Sequence, residues 1–383
     1  MEKTAQNESG ALSVLMIGSD ASIFEAKSPA RQKIIEYGQL ADRLQVIIFT
    51  KRRQGIFSPT QISPRVFLYP TNSFSRWCHI FNAWRLARKM PPVRLISAQD
   101  PFEAGLAGFL IKRRTGAALQ LQIHTDFLSP HFSRGSWLNR IRVRLAKFLL
   151  PRAESVRVVS QRIKNSLREN NIKLKNEPII LPISTTVIQT SQPAEVINLH
   201  QKYPQFNFIV LMASRLTPEK NIGLAIEAMA EIVKKHPQTG LIIFGRGKER
   251  KSLLSLVARK KLSANIIFEP WTENLSDCQK TADLFLLTSN YEGYGMAIIS
   301  ALAAGCPVVM TDVGCAGEIV KNNQNGLVVP VGDSAALAAA ILEMMNNNSR
   351  REQFKKQGQE AVKNLPTKEQ YLMEYKKSWK INL

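Results

Sequence analysis

The sequence predicts an α/β protein built from two doubly wound parallel-sheet domains that face each other across a cleft. At 383 residues the chain is longer than one hydrophobic core usually fills. Short apolar runs alternate with segments of helical spacing, and this alternation stops and then begins again in the second half. With 44% hydrophobic and 21% charged residues, each half can bury a core of its own.

The first half contains five short apolar runs that suit buried parallel strands. They are ALSVLMIGSD (11–20), LQVIIFT (44–50), VRLISAQD (93–100), LQLQIHTD (119–126) and VRVVSQ (156–161). Segments of helical spacing lie between them at 29–41, 102–114 and 137–150. We therefore predict a disordered polar N-terminus at 1–10 and an N-terminal domain at 11–190.

The alternation begins again at residue 206, after a stretch without clear periodicity at 184–204 that we interpret as the linker. Strands are predicted at 206–215, 240–247, 265–271, 282–289 and 306–312, and helices at 221–236, 250–260 and 296–305. The second domain is placed at 204–365. A last helix is predicted at 366–383, where Tyr371, Leu372, Tyr375 and Trp379 have helical spacing.

Neither a secretory signal nor an apolar run long enough to span a membrane is recognisable in the sequence. The four cysteines are scattered, without the spacing of a metal site or of a disulfide framework. These features predict a cytoplasmic protein with reduced thiols.

The formal net charge of +22 lies mainly in the first half. Residues 51–150 contain 17 Lys and Arg against 3 Asp and Glu, whereas residues 201–383 contain 23 against 17. Such asymmetry indicates an anionic partner for the first half: a lipid surface, an anionic acceptor or a nucleic acid.

Two basic segments, 75–89 and 133–152, interleave apolar and cationic residues. Basic amphipathic helices can lie on anionic lipid, which would put the protein at the inner face of a membrane. The alternative is that the apolar residues face the core of the domain and the cations form its solvated side.

Two loops of the second half carry cations directly after a predicted strand. Arg215 and Lys220 flank one loop, where two cations can meet a diphosphate from different directions, or can be plain surface charges. Gly245 and Arg246 open a Gly-Arg-Gly loop that fits either a phosphate-binding turn or a simple tight turn.

The stretch YEGYGMAIISALAAGCPVVMT, residues 291–311, is more informative. Glu292 follows a predicted strand, Gly293 and Gly295 permit unusual backbone angles, and a helix is predicted from Met296. Free N–H groups at the helix start attract phosphate, and a carboxylate can accept hydrogen bonds from sugar hydroxyls. The alternative is that Glu292 only complements the helix dipole, which contributes about 0.3–1 kcal/mol.

The order of these motifs resembles the donor-binding half of the retaining glycosyltransferases of family 4. The resemblance covers residues 205–345, through Arg215…Lys220, FGRGKER, ADLFLLTSNYEGYGMAIISALAAGCPVVMTDVGCAGEIV and NGLVVPVGD, and extends more loosely to QIHTDF and VVSQRIKNSL. It implies the B-type glycosyltransferase (GT-B) fold of two Rossmann-like domains. The N-terminal domain would bind the acceptor, the C-terminal domain the nucleotide-sugar donor, and the last helix would pack back on the N-terminal domain.

The resemblance also implies roles for individual residues. Arg215 and Lys220 match the basic pair on the donor diphosphate, Glu292 the glutamate that bonds sugar hydroxyls, and His124 a histidine near the reacting centre. On its own, a histidine at a strand end is more typical of a structural role. The other donor-binding residues implied are Gly245, Arg246, Phe268, Trp271, Gly293, Tyr294, Gly295, Met296 and Ser300.

One position departs from the family pattern. A second glutamate, which grips the nucleotide ribose, normally follows the first after seven residues, and here that position is Ser300. Losing a hydrogen bond to a charged group costs about 1.5–3 kcal/mol. The departure leaves open weak donor binding, compensation by a neighbour, or a domain that binds without turnover.

The expected function is therefore transfer of a sugar from a nucleotide-diphosphate donor to a glycan or lipid-linked acceptor hydroxyl, with retention of anomeric configuration. The expected enzyme class is a retaining hexosyltransferase of glycolipid or surface-polysaccharide synthesis, with no metal or organic cofactor. The alternative is a silent family member that acts as a binding or assembly subunit. A nucleic-acid partner is not expected because no binding module is recognisable, and the Glu292 loop argues against a nucleotide-sugar epimerase.

Overall fold

The computed structural model of the protein describes residues 11–183 and 197–380. The predicted polar N-terminus at 1–10 and most of the predicted linker lie outside these residues. Within them, the chain forms two α/β domains, each with a central sheet covered by helices on both faces. The predicted fold class is confirmed.

The sheet of the first domain has the strand order β3-β4-β2-β1-β5-β6-β7-β8 among the described residues. Its strands are β1 (Ser13–Gly18), β2 (Arg43–Ile48), β3 (Thr60–Ser63), β4 (Val66–Pro70), β5 (Leu95–Ala98), β6 (Ala118–Ile123), β7 (Ser155–Val158) and β8 (Ile179–Ile180). Its helices are α1 (Pro29–Gly38), α2 (Cys78–Ala87), α3 (Glu103–Thr115), α4 (Pro130–Arg134), α5 (Trp137–Leu149) and α6 (Gln161–Glu169). The crossover connections explain why neighbouring strands are parallel, as the strand and helix alternation predicted.

One strand pair differs from the predicted all-parallel arrangement. β3 pairs antiparallel with β4 at the edge of the sheet. Only two residues separate these strands, and such a short connection can join only antiparallel neighbours.

The second domain has the strand order β11-β10-β9-β12-β13-β14, all parallel. Its strands are β9 (Phe208–Ala213), β10 (Thr239–Phe244), β11 (Ile266–Glu269), β12 (Leu284–Leu287), β13 (Val308–Thr311) and β14 (Leu327–Val329). Its helices are α7 (Leu199–Lys202), α8 (Ile222–Lys235), α9 (Arg250–Arg259), α10 (Leu275–Thr281), α11 (Met296–Ala303), α12 (Ser334–Asn346) and α13 (Asn348–Lys363). The direction in which successive strands are added reverses between the neighbouring strands β9 and β12. In open α/β sheets, ligands bind at such a point, beyond the carboxyl ends of the strands.

The last helix, α14 (Lys368–Lys380), packs on the first domain. Tyr371, Tyr375 and Trp379 are buried in the same core cluster as strands β1 and β2. The hydroxyls of Tyr37 and Tyr371 lie 2.9 Å apart, and the rings of Tyr37 and Tyr375 stack at 4.2 Å. Residues far apart in sequence therefore complete the first domain's core.

Candidate functional site

Two loops of the second domain meet where β9 and β12 end. The first loop runs from β9 through a 3₁₀ turn, Pro218–Lys220, into α8, and the second runs from β12 into α11. The backbone N–H of Asn290 donates to the carbonyl of Glu219 (2.8 Å), and the Thr288 hydroxyl donates to the carbonyl of Lys220 (2.9 Å). These bonds hold the two loops in a fixed relation.

Lys220 and Glu292 form the ion pair at the centre of these loops. The Lys220 Nζ lies 2.5 Å from the Glu292 Oε1, and their side chains are only 15% and 13% exposed. The Ser289 hydroxyl donates to the same Oε1 at 2.7 Å. A cation and a carboxylate, both largely shielded from water, thus lie side by side with fixed orientations.

Arg215 does not join this pair. Its guanidinium bonds Glu219 at 3.1 Å, and the side chain is 74% exposed. The Thr217 hydroxyl orients the same Glu219 carboxylate at 2.7 Å. The structure therefore brings Lys220 and Glu292 together and leaves Arg215 on the rim of the loop.

The glycines beside Glu292 are required by close backbone contacts. A Cβ on Gly293 would lie 2.0 Å from the carbonyl oxygen of His124 in the first domain. Gly295 has a φ of 90° and precedes the first turn of α11 at Met296. The strand end that carries His124 and the loop that carries Glu292 consequently touch across the cleft.

The Tyr294 side chain is buried in the core, and its hydroxyl has no hydrogen-bond partner among the described residues. Burial raises the pKa of this phenol above its ordinary value. Only the backbone of Tyr294 is left to contact a ligand.

His124 follows β6, and its Nε2 lies 3.1 Å from the Oε1 of Gln122. Gln122 Oε1 also accepts from Arg157 (2.7 Å), while Gln122 Nε2 donates to Ser97 (2.8 Å) and to Tyr375 of α14 (2.9 Å). The Gln122 amide oxygen is thereby fixed as the acceptor, so His124 Nε2 carries the proton and Nδ1 is free to accept. Burial, assisted by the charges of Arg157 and Lys33, lowers the pKa of His124 to about 3.

The Gly245 loop lies against the Arg215 loop. A Cβ on Gly245 would lie 1.9 Å from the Ser214 carbonyl oxygen, and one on Gly247 would lie 2.2 Å from that of Leu216. The Arg246 carbonyl accepts from the Leu216 N–H at 2.9 Å, and the Arg246 side chain is exposed. Because these glycines have no side chains, the two loops can pack closely. This packing alone explains the Gly-Arg-Gly motif, without a bound ligand.

The remaining predicted donor-binding residues differ in their surroundings. The Ser300 hydroxyl donates to the Oε1 of buried Gln279 at 2.7 Å, so its proton already has a partner. Phe268 packs on the core of the second domain, whereas Trp271 is an exposed aromatic side chain. Trp271 is therefore the one of these three that offers a free side chain at the protein surface.

A cleft of about 690 Å³ lies between the domains and contains Glu292. From the first domain it is lined by Asp126, Leu128, Ser129, Pro130, His131, Gln161, Arg162, Asn165, Ser166, Glu169 and Asn170. Burial raises the pKa of Asp126, which accepts a hydrogen bond from Ser166 at 3.1 Å. The opposite walls are thus a polar first-domain surface and the Glu292 loop.

Residues that join the cleft walls were not predicted from the sequence. Arg162 forms an ion pair with Asp312 and donates to the Ala316 carbonyl at 3.1 Å. The backbone N–H of Gln161 donates to Glu318 at 2.9 Å. No sequence signal singles out these residues, because each pair is separated by about 150 positions and becomes adjacent only when the domains face each other.

Within residues 11–183 and 197–380, no group of three or more His, Cys, Asp or Glu side chains is arranged to hold a metal ion. In the same ranges no helix is long and apolar enough to cross a bilayer. Cys278, Cys306 and Cys315 are buried free thiols, and Cys78 is a half-buried free thiol.

Comparison with known proteins agrees with this architecture. The family model of glycosyl transferases group 1 matches residues 198–361, and that of glycosyltransferase family 4 matches residues 37–180. A poly(glycerol-phosphate) alpha-glucosyltransferase of Bacillus subtilis is 31% identical over 155 residues, or 40% of this chain and 23% of that protein. The first three curated relatives are covered over 23%, 33% and 47% of their own lengths.

Two solved structures share the fold over nearly the whole chain. Sucrose-phosphate synthase from Thermosynechococcus elongatus superposes with a TM-score of 0.80 at 20% identity, covering 97% of this chain and 98% of that one. HepE of Anabaena, in complex with UDP and glucose, superposes with a TM-score of 0.74 at 21% identity, covering 97% and 100%. These superpositions show that the chain has the GT-B fold. The two family matches, which together extend over both domains, show that it belongs to glycosyltransferase family 4.

Proposed function

We propose that this protein transfers a sugar from a nucleotide-diphosphate donor to a glycan or lipid-linked acceptor hydroxyl in polysaccharide or glycan synthesis. The observation that carries the proposal is the shielded Lys220–Glu292 pair beside Gly293, whose backbone contacts the carbonyl of His124 in the first domain. The names of the relatives support a transferase of this class, and HepE is known with UDP bound. These relatives are named as transferases, which does not favour the alternative of a silent assembly subunit.

The Lys220–Glu292 pair suits a donor that carries negative charge and hydroxyls together. When a diphosphate enters, the Lys220 ammonium can turn from Glu292 to a phosphate oxygen, an exchange of one anionic partner for another. The Glu292 carboxylate is then free to accept hydrogen bonds from sugar hydroxyls, while Ser289 keeps it oriented. Donor binding would thus replace an internal ion pair with two ligand contacts.

In the reaction that we propose, the bond between the anomeric carbon and the diphosphate oxygen breaks while the acceptor oxygen bonds to that carbon. The acceptor proton passes to the departing phosphate, so no enzyme base is required. Lys220, assisted by Arg215 on the loop rim, stabilises the charge that develops on the leaving group, which is often the largest catalytic effect. Attack on the face from which the phosphate departs would retain the anomeric configuration.

Neutral His124 fits a role as a hydrogen-bond acceptor near the sugar. Its Nε2 proton is donated to the Gln122 amide oxygen. Only Nδ1 or the backbone carbonyl of His124 can therefore accept a hydrogen bond from a hydroxyl of the donor sugar. We therefore assign His124 to positioning the donor sugar rather than to proton donation.

The test is a thermal-shift panel of the full chain against UDP-, GDP-, ADP- and dTDP-sugars, followed by an assay of nucleotide release. Ligand at about a hundred times its dissociation constant adds about 2.7 kcal/mol to stability. Lys220→Ala should lower turnover by about a hundredfold, and Glu292→Gln should weaken the shift given by the matching donor. Lys234→Ala, which removes an exposed lysine of α8 in the same domain, is the matched control. Full activity in Lys220→Ala, or no shift with any nucleotide sugar, would refute the proposal.

A further inference from the structure

We propose that the outer surface of helices α2, α3 and α5 docks the protein on an anionic lipid bilayer. We call this surface the basic-aromatic surface, and define it by the exposed residues of the three helices and of the segment that precedes α2. The inference goes beyond the proposed function because it concerns where the protein works, and it uses none of the residues assigned to the donor.

The exposed stripe of α5 alternates between apolar and basic side chains. It consists of Trp137, Arg140, Ile141, Arg144, Lys147 and Phe148. These positions are three or four residues apart or adjacent on the helix, so they lie along one side. α5 contains no acidic residue, and Trp137 is 65% exposed. The exposed side of α5 therefore carries apolar residues as well as cations, instead of cations alone.

α2 presents a second stripe of the same kind. Phe74, Trp77 and Phe81 are exposed apolar side chains, and Trp77 is 62% exposed. Arg85 and Arg88 continue the exposed side toward the end of the helix. The segment from residue 74 to residue 89 contains no acidic residue.

α3 joins the two stripes into one surface. Glu103, at its first turn, accepts from Arg142 of α5 at 2.7 Å and from Arg76, just before α2, at 3.1 Å. The rings of Phe109 and Phe148 contact edge to face at 5.9 Å. α3 adds exposed Leu110, Arg113 and Arg114 at its far end. The single acidic residue of this junction is therefore neutralised by two arginines.

The chemistry of this surface fits a bilayer interface better than another polyanion. Tryptophan and phenylalanine insert at the level of the lipid headgroups, while Lys and Arg attract anionic headgroups. Single-stranded nucleic acid is bound in grooves where aromatic rings stack on bases. Here the aromatic side chains lie on outer helix faces and are accompanied by Ile141 and Leu110, which cannot stack.

The docked orientation would place the cleft next to the membrane. α4, which contains Pro130 and His131 of the cleft lining, leads directly into Trp137 at the start of α5. A bilayer in contact with the α5 stripe therefore lies beside the acceptor side of the cleft. A lipid-linked acceptor could then reach the cleft without leaving the membrane.

The experiment is flotation of the full chain with vesicles of neutral phosphatidylcholine, with or without about one-third phosphatidylglycerol, at low and high salt. We expect binding to the anionic vesicles at low salt and a loss of binding at high salt. Two double variants each remove one kind of interaction. Arg140→Glu with Arg144→Glu removes attraction to the anionic headgroups, and Trp137→Ala with Phe81→Ala removes aromatic insertion. Each pair should lower the partition coefficient by about tenfold or more.

The matched control lies on α9 of the second domain, which exposes Lys251, Leu254 and Arg259. Lys251→Glu with Arg259→Glu removes the same charge as the α5 variant and should leave flotation unchanged. Nucleotide release in vesicle-free solution, measured on every variant, separates a failure of docking from a failure of the proposed function.

Three outcomes would overturn the inference. They are absence of wild-type binding to anionic vesicles at low salt, equal losses in the α5 and α9 charge variants, and prevention of vesicle binding by a stoichiometric amount of single-stranded oligonucleotide. The last result would assign the surface to nucleic acid instead.

Discussion

Gly293 lies against the carbonyl oxygen of His124 so closely that the position has no room for a side chain. The contact joins a loop of the second domain to a strand end of the first. Because a backbone carbonyl cannot turn away as a side chain can, relief of a clash would require the loop or the whole domain to move.

Gly293→Ala should therefore destabilise the protein and disturb the cleft. We expect a loss of about 1–3 kcal/mol in the free energy of unfolding, as in other overpacked sites, and a turnover lowered by more than about tenfold. Gly223→Ala in α8 is the control, since its Cβ would make only ordinary contact, 3.7 Å from Leu256. Wild-type turnover and stability in Gly293→Ala would contradict the observed contact.

The lowered pKa of His124 predicts that the free energy of unfolding depends on pH. Its folded pKa of about 3 lies below the ordinary value of about 6.5 for an unfolded chain. The unfolded state therefore takes up the proton first, and the contribution of neutral His124 to stability is complete above about pH 6.5 and declines as the pH falls toward 3.

The unfolding free energy of the wild type should fall by up to about 1.4 kcal/mol per pH unit below pH 6.5 from this residue. Urea unfolding of the wild type and of His124→Gln at pH 8, 6 and 5 measures the effect. The variant should show the shallower dependence, and equal slopes would show that His124 is protonated as easily in the folded state.

At the scale of the element, α14 belongs to the core of a domain that lies far from it in sequence. The Tyr375 hydroxyl accepts from Gln122, the Ser378 carbonyl accepts from Gln120 at 2.9 Å, and Trp379 is fully buried. Through Gln122, the same helix helps to fix the orientation of His124.

Substitutions of buried residues in α14 should lower the free energy of unfolding, whereas substitution of an exposed residue should leave it nearly unchanged. Tyr375→Phe leaves the Gln122 amide without one acceptor and should cost about 1–3 kcal/mol, whereas Trp379→Ala should cost about 3–5 kcal/mol. Met373→Ala, on the exposed side of the same helix, should change stability by less than about 0.5 kcal/mol. Denaturant unfolding checks all three, and a neutral Trp379→Ala would show that α14 does not stabilise the first domain.

The sequence predicted the elements whose pattern is local. β9 to β13 and helices α8, α9 and α11 follow from apolar runs and helical spacing, and Glu292 followed from its place after a strand and beside two glycines. The antiparallel β3–β4 edge was missed, because β3 (TQIS) is a polar edge strand without the apolar run that reveals the equally short β12 and β13. The Lys220–Glu292 contact could not be predicted from the residues alone, since 72 positions separate the partners and only the adjacency of β9 and β12 unites them.

At the scale of the whole molecule, few polar contacts join the two domains across the cleft among residues 11–183 and 197–380. Arg162 bonds Asp312 and the Ala316 carbonyl, and both charged side chains remain partly exposed. An exposed pair of this kind contributes about 0–1 kcal/mol. Such a contact is strong enough to bias the domain arrangement and weak enough to break during turnover.

Arg162→Ala should therefore shift the ligand-free protein toward a more open cleft with little loss of stability. We expect a larger radius of gyration in small-angle X-ray scattering and less than about 1 kcal/mol change in unfolding free energy. Arg168→Ala removes a neighbouring arginine whose partner, Glu177, lies in the same domain, and should scatter like the wild type. Identical scattering from both variants would show that the Arg162 contact does not hold the cleft.

The position of α14 has a consequence for how the chain acquires its structure during synthesis. A ribosome releases the first domain before the second, yet Tyr37 and the apolar residues of β1 and β2 bury against side chains near residue 375. The first domain to emerge therefore stays incomplete while some two hundred further residues are made, and it exposes an apolar surface throughout that interval. Its folding is consequently tied to the synthesis of α14, and a nascent chain stalled before residue 368 would be a natural target for chaperones.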